Sequence, residues 1–484
     1  MNRSFALDAL RGYAILTMIL SGRIVFGVLP GWMHHAQTPP PSYAFDPTVP
    51  GITWVDLVFP FFIFAMGAAF PFSIKGKLEQ GVAKGKLVYE GFKRYLQLIF
   101  FAVFTYHVGP WALKTPDPST AYWVGILGFI LLFPMYMRMP FDVSNKIRNA
   151  IKLLAFLAGL TLMLWVQHKG YRDFNPHFED IIIAVMAHMA GFGTLVYVLT
   201  VNSVKARLLI LPILMGILLG AEAKDSINSF ICNYAPLSWI DVSGKASHFI
   251  PLDWFFRFTY LKYFLILIPG TIAGEYLRQS LFSNTSSASK VRTPLTKNKP
   301  LAILFICLIT ILINLCCLYN RWLVVNLFLN IGFLSLGYFL LRNSKNEFAK
   351  LWEKLFNIGS FLILLGLMFE SFQGGIKKDP TTYSYFFLTG GLAFLALIFF
   401  NIVCDYWKCQ KSSSFLIMSG QNPMIAYVSN NLFIVPILSL LQIMPHFSVF
   451  GSNAWLGFLQ GVILTLLAIL ITMFFTKIKW FWRT

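Results

Sequence analysis

The sequence predicts an all-α fold: a polytopic transmembrane helix bundle of about 11–14 spans with both termini in the cytoplasm. Three observations carry this expectation. Hydrophobic residues make up 57% of the 484 positions and charged residues only 12%, against about 25% charged in an ordinary soluble domain. Apolar runs near 20 residues, matched to the thickness of a bilayer core, recur to the end of the chain. Lys and Arg gather in every second loop between those runs.

The first stretch, MNRSFALDALRGYAILTMILSG, has a positive start and an apolar body, as a signal peptide would. No small-residue cleavage site follows, so it reads as an uncleaved first helix. Apolar spans are expected at 10–29, 52–74, 95–113, 121–139, 149–167, 181–201, 207–221, 260–277, 300–319, 322–341, 355–371, 385–404, 422–443 and 455–477. Segment 207–221 is short enough to be half-inserted. Segment 280–299, SLFSNTSSASKVRTPLTKNK, reads as a flexible cytoplasmic linker. It would divide the chain into an N-terminal transmembrane half, 1–279, and a C-terminal half, 300–484.

With the N-terminus inside, 28 of the 39 Lys and Arg residues fall in cytoplasmic segments, and none occurs from residue 24 to residue 74. The asymmetry puts loop 30–51 outside. It also accounts for the net charge of +19 without nucleic acid as a partner. Outer loop 222–259 carries Trp239, Asp241, His248, Asp253 and Trp254, which read as interfacial anchors or as sugar contacts. The cysteines, Cys232, Cys307, Cys316, Cys317, Cys404 and Cys409, form no CxxC pair, so neither a disulfide nor a metal site is expected.

Charges inside spans are costly and therefore point to sites. Asp8 and Arg11 share a face at the start of the first helix. They read as a structural ion pair or as a seat for a phosphate-bearing ligand. Arg23 lies deeper and could neutralise Asp56 of the next span. Asp56, three residues after Thr53, could cap its helix, pair with a cation, or orient a histidine. His34 and His35 stand in a proline-stiffened loop, where an imidazole can exchange protons near neutral pH or carry an acyl group. His107 and His188, inside spans, read as hydrogen-bonded packing residues. His168, His177 and His446 fall in outer loops without a pattern. In SGQNPMIAYVSNNLF (419–433), Gly420 and Pro423 should break a helix, and Asn422 could offer its amide to a carbonyl oxygen. Gly270 and Gly274 have the spacing of close helix packing, or leave room for a thin ligand.

RSFALDALRGYAIL (3–16), HHA (34–36), GITWVDLVFPFFIFAMG (51–67) and GQNPMIAYV (420–428) resemble the heparan-α-glucosaminide N-acetyltransferase family, in particular its bacterial branch with Pro-rich first loops. The resemblance implies acetyl transfer across the bacterial inner (cytoplasmic) membrane, from cytoplasmic acetyl-CoA as co-substrate to the amino group of a terminal glucosamine or similar amino sugar on the periplasmic side. It implies His35 as acetyl carrier or general base, with Asp56 and Asn422 as further catalytic residues. Asp8, Arg11 and Arg23 are the expected cofactor-binding residues, and no metal is implied. The expected partners are a glycan or amino-sugar substrate, the lipid bilayer and a second copy of the chain. The family's pattern is interrupted by QTPPPSYAFDPTVP (37–50), which separates His35 from the second span and makes His34 the alternative reactive imidazole. It also departs at Ser21–Gly22, where animal members carry asparagine, and in WVGILGFILLFP (123–134), which lacks their Q-R pair.

Two other classes compete. A secondary transporter for a sugar or sugar acid would also use broken helices and buried charges, but the DLVFP stretch has no counterpart in the second half. A non-enzymatic membrane scaffold is the third class.

Overall fold

The computed structural model describes residues 4–138, 144–221, 223, 226–233, 238–240, 246–248, 254–286 and 298–483. In chain order the helices are α1 (Phe5–Ser21), α2 (Trp54–Phe70), α3 (Gly76–Glu79), α4 (Lys84–His107), α5 (Pro118–Tyr136), α6 (Asn145–His168), α7 (Ile181–Leu199), α8 (Val204–Gly220), α9 (Ile227–Asn233), α10 (Phe264–Ser286), α11 (Asn298–Tyr319), α12 (Leu323–Leu341), α13 (Glu347–Met368), α14 (Tyr383–Phe400), α15 (Ser414–Gln421), α16 (Pro423–Ser429), α17 (Val435–Leu440) and α18 (Ala454–Lys477). Most long helices start at a residue whose side chain accepts from the first turn: Ser4, Asp117, Ser144, Asp180, Ser203, Asn346 and Asn453.

The chain is a polytopic helical membrane protein. Among the described residues, ten helical segments are long and apolar enough to cross a bilayer. The other four expected spans correspond to α1, α4, α8 and α10. Helices α1 and α8 have 17 residues each, about 25 Å of rise. Helix α4 begins with a basic turn, and α10 runs on into the polar stretch SLFSNTS. Part of the expected linker is thus helical up to Ser286, and residues 287–297 lie outside the described residues. Among the described residues, the named strands form one hairpin, in expected outer loop 222–259: β1 (Ser238–Ile240) pairs antiparallel with β2 (Ala246–His248). Asp241 and Asp253 of that loop lie outside the described residues.

Two compact units emerge. The first comprises Met1–Phe72, Pro269–Asn430 and Gln442–Phe481; the second comprises Ser73–Ile268, Asn431–Leu441 and Trp482–Thr484. Both are discontinuous in sequence, and the first takes helices from either side of segment 280–299.

In the first unit α14 is buried along nearly its whole length and packs against α13, α11 and α2; α1 packs against α2, α15 and α18. Backbones approach where glycine allows it. A Cβ on Gly12 would lie 1.8 Å from Leu416 O, and one on Gly420 would lie 1.9 Å from Asp8 O. Gly270 and Gly274 bring α10 onto Phe64 O and Ala68 O of α2, the close packing their spacing predicts. The hairpin of α11 and α12 buries Asn314, Asn326 and Asn330. They bond one another at 2.8–3.2 Å, so these polar groups are satisfied where water is absent.

Contacts in this unit join segments that the charge pattern assigns to one face. On the expected inner face, Asp405 accepts from Ser4 Oγ and Phe5 N, each at 3.1 Å, and Asn422 Nδ2 donates to Trp480 O. On the expected outer face, Gly51 N donates to Ile376 O and Val25 N to Gly457 O.

In the second unit α4 packs on α7, and α5 packs on α6 and α17. The two span histidines are bonded through both ring nitrogens. His107 Nδ1 donates to Val103 O and Nε2 accepts from Asn175 N. His188 Nδ1 donates to Ala184 O and Nε2 accepts from Arg257 N. Both are packing residues, as the sequence suggests.

Candidate active site

Asp56 enters α2 in its first turn, where the helix dipole favours a carboxylate. Its side chain is 2% exposed, so every acceptor site needs a donor. Oδ2 takes Thr53 N at 2.9 Å and Ala36 N at 3.2 Å, and Oδ1 takes His35 Nδ1 at 2.7 Å. Tyr385 of α14 donates to Asp56 O at 2.7 Å, fixing the start of α2. The capping and histidine-orienting readings of Asp56 are therefore both present in one carboxylate.

An ionised carboxylate only accepts, so His35 Nδ1 carries a proton, and in the neutral ring Nε2 is the nitrogen that holds the lone pair. The His35 side chain is 38% exposed. His34 points elsewhere, because adjacent residues in extended backbone face opposite ways. It is 2% exposed, stacks on Phe26 at 4.3 Å and meets the edge of Tyr43 at 5.3 Å. Burial, with the neighbouring His35, lowers the His34 pKa below the usual histidine value. The structure thus separates the two imidazoles: His35 is paired and accessible, and His34 is packed.

The insertion 37–50 does not carry His35 away from α2, because it folds back on itself. Asp46 N donates to Gln37 O and Tyr43 N to Pro39 O; Tyr43 Oη reaches Leu29 O at 2.7 Å. The two ends of the insertion meet, with the site of a Gly51 Cβ 3.8 Å from Ala36 Cβ. Gln37 clips this flap to loop 372–382, donating through Nε2 to Asp379 O and accepting Asp379 N at 2.9 Å.

That second loop delivers a residue the sequence reading did not single out. Lys378 Nζ lies 3.3 Å from both His35 Nδ1 and His35 Nε2. Burial pulls its pKa below the usual lysine range, opposed by the carboxylates of Asp56 and Asp379. A signal existed in the sequence: KKDP (377–380) places two lysines in an expected outer loop, against the charge bias.

The remaining expected residues stand apart from this triad. Arg23 does not neutralise Asp56: His35 is the side chain 2.7 Å from the Asp56 carboxylate, and no ion pair joins Arg23 to it among the described residues. Asp8 and Arg11 do pair, at 3.9 Å, and Arg11 donates to Gly420 O and Ala65 O. Ala65 is nine residues along α2 from Asp56, about 14 Å. Asn422 breaks the helix between α15 and α16 with φ −134° and ψ 54°, two residues from the Gly420 that packs on Asp8. The structure therefore groups Asn422 with Asp8 and Arg11 rather than with His35. Arg23 lies beyond the far end of α1, at least about 15 Å along the helix from Arg11, so the three expected cofactor-binding residues do not form one cluster.

Residues 3–277 match a family model described as a domain of unknown function, DUF5009. The chain belongs to the DUF5009 family. No curated protein matches it. The DUF5009 region contains Asp8, Arg11, Arg23, His35 and Asp56, whereas Lys378, Tyr385 and Asn422 come from the chain beyond it. The His35 site is thus assembled from inside and outside the DUF5009 match.

Proposed function

We propose that this protein is a transmembrane N-acetyltransferase of a bacterial inner membrane. It takes acetyl from cytoplasmic acetyl-CoA and delivers it to the amino group of a glucosamine or similar amino sugar on the periplasmic side. The observation that carries the reading is the 2.7 Å bond from His35 Nδ1 to the buried Asp56 carboxylate, which leaves Nε2 as an accessible base or nucleophile. The motif resemblance supplies the acetyl donor and the sugar acceptor.

An acceptor amine must lose a proton as it attacks a thioester carbonyl. Nε2 takes that proton, and Asp56 stabilises the imidazolium through a charge-assisted bond. In the covalent variant Nε2 attacks first and the amine then displaces the imidazole. Either route gains from the fixed ring: positioning supplies up to about 7–11 kcal/mol of the barrier in ideal cases. The Gln37–Asp379 clip and the closed insertion hold the loop that bears the ring. CoA, with its several charges, stays at the inner face, and only the neutral acetyl group changes sides.

The test is purified protein in detergent with labelled acetyl-CoA and glucosamine. Transfer is expected in the wild type and in His34→Ala and lost in His35→Ala. Transfer that survives His35→Ala removes the imidazole from the mechanism. Absence of transfer to any amino sugar favours the transporter class.

A further inference from the structure

The acceptor amine in the proposed reaction has to approach His35 Nε2 within hydrogen-bond reach. An amine of the protein already stands against the ring: Lys378 Nζ lies 3.3 Å from both Nδ1 and Nε2, within reach of the Nε2 position. We propose that Lys378 is an acyl-acceptor site, whose ε-amino group captures an acyl group delivered to His35 when no amine substrate is present. The inference rests on the reading of His35 as an acyl-transfer base.

Three features support it. The lysine is held in place by its loop: Lys377 N donates to Thr382 Oγ1, Thr382 N to Lys377 O, and Asp379 is clipped to Gln37. Burial favours the neutral amine, the nucleophilic form. Asp56, already satisfied by Thr53, Ala36 and His35, orients the ring without drawing Lys378 into a direct ion pair.

The step balances without any further reactant than an activated ester or thioester. The Lys378 Nζ lone pair forms a bond to the acyl carbon. The bond from that carbon to the donor's sulfur or oxygen breaks, and its electron pair leaves with the heteroatom. The proton from Nζ passes to His35 Nε2 and then to the leaving group. The product is an amide, which does not hand the acyl group on. It also replaces the basic amine beside the imidazole with a neutral amide and fills the acceptor position, so acylated protein is an off state.

The experiment uses full-length protein in detergent with p-nitrophenyl acetate, which needs no CoA site, followed by peptide mass spectrometry. Lys377, adjacent in sequence, is the internal reference. Acetylation of Lys378 at least about tenfold faster than Lys377 is expected, with the advantage lost in His35→Ala and in His35→Asn. Equal rates in the wild type, or an advantage that persists in either folded variant, overturns the proposal; the wild-type ratio alone decides should neither variant fold. The two readings separate cleanly. Selective labelling of Lys378 without transfer from acetyl-CoA to glucosamine upholds this site while the sugar acetyltransferase reading falls. Transfer to glucosamine with Lys378 left unlabelled does the reverse.

Discussion

Replacing Asp56 by Asn is the sharpest perturbation of the site, because it changes one atom and the geometry around it fixes the consequence. Oδ2 accepts two backbone N–H groups, from Thr53 and Ala36. An asparagine must keep its oxygen there, since placing NH2 against two donors would orphan both at about 1–3 kcal/mol each. Its NH2 then faces His35 Nδ1 in place of Oδ1. Nδ1 must become the acceptor, so the ring proton moves to Nε2 and the lone pair needed for catalysis is gone. The lost charge-assisted bond is worth about 1.5–3 kcal/mol, and loss of general-base catalysis costs about 10²–10⁴ in rate. Acetyl transfer from labelled acetyl-CoA to glucosamine should therefore fall at least about a hundredfold, while the thermal midpoint in detergent drops by no more than a few degrees. Activity within about tenfold of the wild type would refute the tautomer argument and the role assigned to Asp56.

Gly12→Ala puts a methyl 1.8 Å from a backbone oxygen and should cost about 1–3 kcal/mol as overpacking. Gly85→Ala, with open space around it, is the control, and equal melting of the two variants would contradict the close crossing of α1 and α15. Arg11→Lys cannot serve both carbonyls that the guanidinium reaches. The melting temperature should drop with the KM for acetyl-CoA unchanged; a raised KM with unchanged melting would restore Arg11 as a ligand contact. The lowered His34 pKa gives a pH dependence of fixed sign. Between its folded value and the ordinary 6.5, the unfolded chain binds the extra proton, so stability rises with pH through that window and is lost below it. The drop in melting temperature from about pH 7 to about pH 5 should shrink in His34→Gln, and an unchanged drop would show that other groups set the acid limb.

Much of this protein was legible in one dimension because the bilayer imposes one-dimensional rules. A segment must be apolar over its whole length to cross, so span order could be read by inspection, and the basic ends give loop 30–51 its expected facing. Helix starts were equally local: Thr53 and Asp56 announced the head of α2, and Gly420 with Pro423 announced the break that Asn422 occupies. Pairings between distant segments were different. Nothing near His35 in sequence says that a lysine 343 residues away stands against its ring, or that the proline-rich excursion 37–50 returns to close on itself. Arg23 and Asp56 looked like partners by depth, but the carboxylate was already committed to an imidazole and two amides. Composition and spacing therefore determined the succession of membrane-crossing helices and the list of costly polar groups. Which of those groups share a site was decided only in three dimensions, because a buried carboxylate selects its donors by the packing of α1, α2 and α14, and that packing depends on contacts no local pattern records.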